Sequence, residues 1–438
     1  MRNLHRLVLI ALTSALLDGP ALGWERDFPG GYYSAAHTVA VTHGGDVVAG
    51  GHLSMDLGGM EATVMKLDGA TGATAWEQIF VGEARQIIVD PRDDTIIAGW
   101  MAHKARFTVM KLAGEGGEIR WRRGLGKGGA TAVATDADGD IIAAGAGAGA
   151  GAPGWLVVKL STNGRDRWRH LMRAHRGHFG GGGASAVAVD PGGDVVAAGV
   201  TVETGAYDGV YEDVIATRIT VVKLAGRDGH QLWRTDLAEA TGGVSGVPNA
   251  MRIDPAGDVV IAGVTGVLSF TDSAFTVVKL AGASGKELWR HTIAGRRNAA
   301  LDVAVDDDGD VVAVGNLDRA RRTQTDFAAV KLDGGDGDEL WRVAINGTAN
   351  SDDSATSVAF DSGGAAVVGG FVTNATTGLD FEVVRLAQDG MELARHEIAT
   401  GSVDIASTLA IGADDRIVAG GETSNDGRHS AFSVVTFP

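Results

Sequence analysis

Lys66-Leu67-Asp68-Gly69-Ala70-Thr71-Gly72-Ala73-Thr74-Ala75-Trp76 is the first copy of a phrase that runs through the whole chain. Later copies begin at Lys111, Lys159, Lys223, Lys279, Lys331 and Arg385. Their closing tryptophans are Trp121, Trp168, Trp233, Trp289 and Trp341, with Ala394 standing in the seventh copy. A second phrase precedes each one, for example Val187-Ala188-Val189-Asp190-Pro191-Gly192-Gly193-Asp194-Val195-Val196-Ala197-Ala198-Gly199, with counterparts at 133–145, 253–263 and 303–315. Short β-branched runs joined by Asp, Pro and Gly turn residues read as β-hairpins, because those residues supply the positive φ that tight turns need. Each unit therefore holds four antiparallel strands, A to D, and four-stranded units at a fixed period are the signature of a β-propeller.

The two ends of the chain set the blade count. Residues 36–398 hold seven units, at about 36–80, 81–125, 126–172, 173–237, 238–293, 294–345 and 346–398. Residues 399–438 supply strands A, B and C of an eighth and stop before a D strand. The missing strand is at the other end, where Gly23-Trp24-Glu25-Arg26-Asp27-Phe28 matches Ala75-Trp76-Glu77-Gln78-Ile79-Phe80. The expectation is an all-β, eight-bladed propeller of four-stranded antiparallel blades spanning 24–438. Its N-terminal strand 24–28 closes the last blade, so that no edge is left between first and last. Ahead of it, Arg2, His5 and Arg6 precede an apolar run at 7–17 and the small-x-small triplet Ala21-Leu22-Gly23. That layout reads as a cleaved signal peptide, 1–23, and places the mature chain in the periplasm or outside the cell.

Composition narrows the function. Of 438 residues, 66 are glycine, yet hydrophobic residues make up 45% and prolines number 8, so the glycine serves turns in a folded chain. There is no cysteine, which excludes disulfides, thiolate metal sites and a cysteine nucleophile. A formal charge of −17 opposes general nucleic-acid binding. No later stretch is apolar for long enough to insert in a membrane, and a monomer is expected.

The Lys-Leu-x-Gly-x-x-Gly-x-x-x-Trp phrase resembles the tryptophan-docking motif of quinoprotein-type, PQQ-like eight-bladed propellers across essentially the whole mature chain. The resemblance implies that Trp24, Trp76, Trp121, Trp168, Trp233, Trp289 and Trp341 pack between neighbouring blades. It also brings in pyrroloquinoline quinone with calcium, but quinoprotein alcohol dehydrogenases carry a vicinal cysteine pair that this chain lacks. No catalytic aspartate or calcium ligand can be matched residue by residue. It points as well to the non-catalytic propeller that assists outer-membrane protein assembly and docks protein partners through its loops. That family is normally lipidated on a cysteine absent here.

A repeat separates scaffold from site, since whatever recurs in every blade has a structural role. The docking tryptophans, the strand-C lysines and the Asp-x-x-Gly-Asp turns recur. The B–C loops and D–A links vary, above all the insertion at 201–218, and both emerge on one face around the mouth of the central channel. Tyr32, Tyr33, Trp100, Trp155, Tyr207 and Tyr211 map to that face, and tyrosine, tryptophan and arginine carry interface hot spots. Arg296, Arg297, Arg319, Arg321 and Arg322 form a basic group there, suited to an anionic partner. His175-x-x-His178 has ligand spacing but no carboxylate third ligand, so no metal site is expected. These residues describe a non-catalytic binding or scaffold propeller for a protein or glycan. The alternative is a cofactor-dependent oxidoreductase of quinoprotein type, or a glycan-active enzyme, on the same face.

Overall fold

The computed structural model describes residues 23–30, 33–54, 60–101, 106–149, 152–173, 182–204, 214–237, 245–266, 273–318, 324–424, 426–427 and 429–437. Every regular element among them is a strand. Pairing groups the strands into four-stranded antiparallel units. Two strands, Thr74–Val89 and Ile119–Thr135, each serve as the D strand of one unit and run on as the A strand of the next. The inner A strands touch one another in sequence around a closed ring of eight, the last against the first. The N-terminal strand Trp24–Pro29 pairs antiparallel with the C-terminal strand Ala431–Phe437, Trp24 opposite Thr436 and Phe28 opposite Phe432. The chain ends thus build the eighth blade together, as the terminal residues suggested. Among the described residues no helix is long and apolar enough to cross a membrane.

The recurring phrase is a clasp between blades. Each tryptophan donates its indole N–H to a main-chain carbonyl in the C–D turn of the next blade, at 2.8–3.2 Å: Gly69, Gly114, Thr162, Gly226, Gly282, Gly334 and Gln388 in turn. The last glycine of that turn lies flat on the ring at positive φ, and a Cβ there would stand 2.6–3.0 Å from a ring atom or the side chain beside it. Strand-C lysines reinforce the joint, since Lys66, Lys159, Lys223 and Lys279 donate to the carbonyl their blade's tryptophan uses. The aspartates of the Asp-x-x-Gly-Asp turns serve the same joint. Asp136 holds Lys159 at 2.6 Å, Asp306 holds Lys331 at 3.0 Å, and Asp310 accepts the N–H of Gly334. Seven of the eight junctions carry a tryptophan clasp. The seventh blade cannot, because the eighth has no C–D turn to receive an indole. Ala394 replaces the tryptophan there, and His396 stacks on Phe437 with ring centroids 4.4 Å apart.

A second repeated feature shapes the channel. Each A strand has a β-bulge near its start, whose extra residue is His37, Arg85, Thr131, Ser185, Asn249, Leu301, Thr356 or Ser407. The facing residue of strand B is the glycine that ends the second phrase. A Cβ at Gly51, Gly99, Gly145, Gly199, Gly263, Gly315, Gly370 or Gly421 would fall 1.8–2.3 Å from a strand-A carbonyl oxygen. The glycines are required by this close approach of two backbones.

Candidate functional site

The bulge residues sit near the start of the A strands, at the end of each blade where the D–A link enters. Most are tied into the scaffold. Thr131, Ser185, Asn249 and Thr356 donate to a carbonyl of the next A strand: Ala184, Pro248, Ala300 and Ala406. In the other joined blades the residue after the bulge makes the rung: Thr38, Gln86 and Asp302 accept the N–H of Ile87, Val133 and Val358. His37 and Arg85 are thereby released from holding the ring, and they are adjacent, in blades 1 and 2.

Both turn to partners at the channel mouth. His37 Nε2 lies 2.7 Å from His52 Nδ1, the two rings stacked 4.8 Å apart. Glu83 Oε2 accepts from Trp100 Nε1 at 2.7 Å and from Arg85 at 3.1 Å. His52 and Trp100 occupy the same repeat position, opposite strand-C residues Ala62 and Phe107. The site is therefore built from two variable positions of the repeat in two successive blades, joined by Glu83. Burial pushes His37 down to about 4, with His52 and Arg85 acting in the same direction and Glu83 against them. Burial also lowers His52, opposed by Glu83 and a hydrogen bond with the Tyr33 backbone. Both imidazoles are neutral near pH 7, so one ring donates to the lone pair of the other. The group offers stacked neutral rings, an indole and an exposed guanidinium, which is recognition chemistry without a nucleophile poised on a base.

The residues singled out from the sequence fall differently. Tyr33 is 75% exposed beside this mouth, and Trp100 belongs to the site itself. Arg296 and Arg297 are exposed in the link between blades 5 and 6, where Arg297 pairs with Asp352 at 2.8 Å. Tyr32, Tyr207, Tyr211, Arg319, Arg321 and Arg322 lie outside the described residues, as do His175 and His178. Trp155 is a correction. It is 1% exposed, packed between blades 3 and 4 with its indole N–H on the Val200 carbonyl, and presents nothing to a ligand. Its repeat position is filled by Phe107, Phe275, Phe327, Phe381 and Phe432 in other blades, all buried. The recurrence criterion therefore assigns it to the core. The same criterion, applied position by position to strand A, would have marked His37 and Arg85.

Among the described residues no three carboxylate or imidazole groups converge on a point that could hold a cation. The channel cavity of ≈ 500 Å³ is walled by Thr38, Gln86, Asp302 and Ser357, which are already engaged in the blade rungs.

Closed ring, N-terminal strand closure and tryptophan clasps define a β-propeller whose blades are docked on one another by tryptophan. A family model described as outer membrane protein assembly factor BamB matches residues 217–425, just under half of the chain. No curated protein matches in sequence. Among solved structures the chain is similar to Sqt1 of Chaetomium thermophilum bound to the N-terminus of ribosomal protein L10, at 14% identity and a TM-score of 0.59 over 94% of this chain and 98% of that one. It is also similar to the quinohemoprotein alcohol dehydrogenase of Comamonas testosteroni, at 12% identity and a TM-score of 0.57 over 95% of this chain and 76% of that one. These likenesses extend to the fold.

Proposed function

We propose that the protein is an exported, periplasmic propeller that binds and positions a protein partner on its D–A/B–C face, at the channel mouth of blades 1 and 2. The observation that carries this reading is the release of His37 and Arg85 from the inter-blade rungs, beside Trp100 and the exposed Tyr33. The match to an outer-membrane assembly factor and the likeness to a propeller solved with a bound protein N-terminus support a protein partner and a periplasmic address. A glycan would use the same residue types.

The test is site-specific photo-crosslinking in the native host, with the crosslinker at position 33 or 85 and, as control, at the exposed Leu288 on an outer strand. A discrete adduct from the mouth positions, absent at the control and lost with Trp100→Ala and His37→Ala, is expected. Equal labelling at both places would refute the assignment. Titration with pyrroloquinoline quinone plus calcium, followed by absorbance and dye-linked alcohol oxidation, tests the enzymatic reading. Stoichiometric binding with turnover would replace the proposal made here.

A further inference from the structure

The junction between blades 2 and 3 breaks the repeat on the opposite face, where the C–D turns lie. In five blades the turn is closed by an N–H bonded to the carbonyl five residues on, as Ala113 to Glu118 and Ala225 to His230. In blade 3 the turn is one residue shorter, and Ser161 bonds to Arg165. The lysine of the preceding blade accordingly loses its carbonyl. Lys111 keeps only the aspartate pair common to these lysines, Asp90 at 2.5 Å and Asp94 at 3.3 Å. A cavity of ≈ 330 Å³ opens in the space the missing residue leaves, bordered by Trp121, Thr162 and Asn163.

Two arginines border this cavity. Arg92 is exposed, and its side chain has no hydrogen bond or ion pair among the described residues. Its place in the A–B turn is taken by Gly44, Asp138, Gly192, Ala256, Asp308, Gly363 and Asp414 in the other blades. Arg120 binds Asp94 through Nε at 2.8 Å, as Arg167 binds Asp140 at 3.1 Å in blade 3, and its terminal nitrogens make no hydrogen bond among the described residues. Leu232, Leu288, Leu340 and Leu393 stand at its place in blades 4 to 7. Blade 7 provides an internal comparison, because its turn is shortened in the same way, Ala387 bonding to Met391. There the equivalent positions are Asp308, Leu340 and Asp389, so the shortened turn does not by itself call for cations.

We propose that the cavity between blades 2 and 3 binds a small oxyanion borne on a hydroxylated ring, a sugar acid or a sugar phosphate. Arg92 and Arg120 supply the planar donor forks that suit a carboxylate or phosphate. Thr162 and Asn163 are placed for ring hydroxyls, and the edge of Trp121 for the ring's apolar side. Asp90 and Asp94 offset two of the three cations Lys111, Arg92 and Arg120, which leaves one net positive charge at the cavity on a chain of −17. The site is separate from the channel mouth, and its failure would leave the partner-binding proposal untouched.

The experiment is calorimetric titration of the folded protein with glucuronate, glucose 6-phosphate, inorganic phosphate and glucose. Saturable binding of one of the two anionic sugars, tighter than phosphate and absent for glucose, is expected. The double variant Arg92→Ala, Arg120→Leu uses residues that other blades accommodate at these positions, and is expected to weaken binding at least tenfold with an unchanged melting temperature. A glycine inserted between Thr162 and Asn163 restores the longer turn and is expected to abolish binding. No binding of either anionic sugar, equal binding of glucose, phosphate binding alone, or full affinity in the double variant would each overturn the proposal.

Discussion

Glu382 lies in strand C of blade 7, opposite Gly370, where the other blades carry Thr63, Thr108, Leu156, Thr220, Thr276, Ala328 and Ser433. It is fully buried. One oxygen accepts from Arg395 at 2.8 Å, and the other has no partner among the described residues. Burial pushes its carboxyl up to about 8, against the pull of Arg395. The folded protein therefore keeps a proton that the unfolded chain gives up above its ordinary value of 4.5, and stability from this group is present at low pH and lost as pH rises toward 8. At about 1.36 kcal/mol per pKa unit, the loss between pH 5 and pH 7 comes to about 2 to 3 kcal/mol, or roughly 3 °C in melting temperature for a chain of this length. Glu397, raised by burial and by Asp380, adds in the same direction, while His396, lowered by burial, acts the opposite way on the acid side. The informative quantity is thus the difference between wild type and Glu382→Gln, which is neutral at every pH and keeps an oxygen for Arg395. Melting temperatures at pH 5, 6, 7 and 8 are expected to fall less steeply in the variant, which overtakes wild type by pH 8. Parallel curves would show that Glu382 is ionised in the folded protein and that Arg395 outweighs its burial.

The remaining predictions concern the clasps, the bulges and the mouth. Trp289→Ala removes an almost fully buried ring and its bond to Gly334, at a cost of about 3 to 5 kcal/mol in chemical denaturation. Ala394→Trp is expected to gain nothing, because blade 8 has no turn to receive it; a stabilised protein would contradict the clasp mechanism. Gly199→Ala places a methyl 2.2 Å from the Gly183 carbonyl, and a large drop in melting temperature is expected where the exposed Gly44, whose Cβ would meet nothing closer than 3.8 Å and whose φ is not positive, tolerates more. Because His37 is held below its ordinary value, its contribution to stability is present above the unfolded value of 6.5 and lost as pH falls toward 4. His37→Gln is expected to flatten that acid limb, read by thermal unfolding between pH 7 and 4, and an unchanged limb would place the titrating group elsewhere.

The charged positions of the outer strands show how far local pattern reaches. Arginines that follow the tryptophan position read as edge charge, and five of them pair within their own strand: Arg169 with Asp166, Arg234 with Asp236, Arg290 with Glu287, Arg342 with Glu339 and, after Ala394, Arg395 with Glu392. Arg395 also reaches the buried Glu382, a contact between neighbouring strands that spacing along one strand does not reveal.

By itself, the sequence determined the four-stranded unit, its repetition, the closure by Trp24–Pro29 and the structural role of the tryptophans. These follow from short-range turn chemistry and alternation, and a repeat states the same local rule many times over. Tertiary structure alone decided what lies at the variable positions. Residues 37, 52, 83, 85 and 100 meet because adjacent A strands are wrapped around one channel, a proximity that no local period encodes. Trp155 is turned inward because strand C sits between two blades, so an aromatic residue near a variable loop is still a core residue. The shortened turn of blade 3 can be counted along the chain. That its missing residue leaves a cavity between Arg92 and Arg120 depends on how two rigid sheets pack, and the volume lost from one turn cannot be recovered by its neighbours.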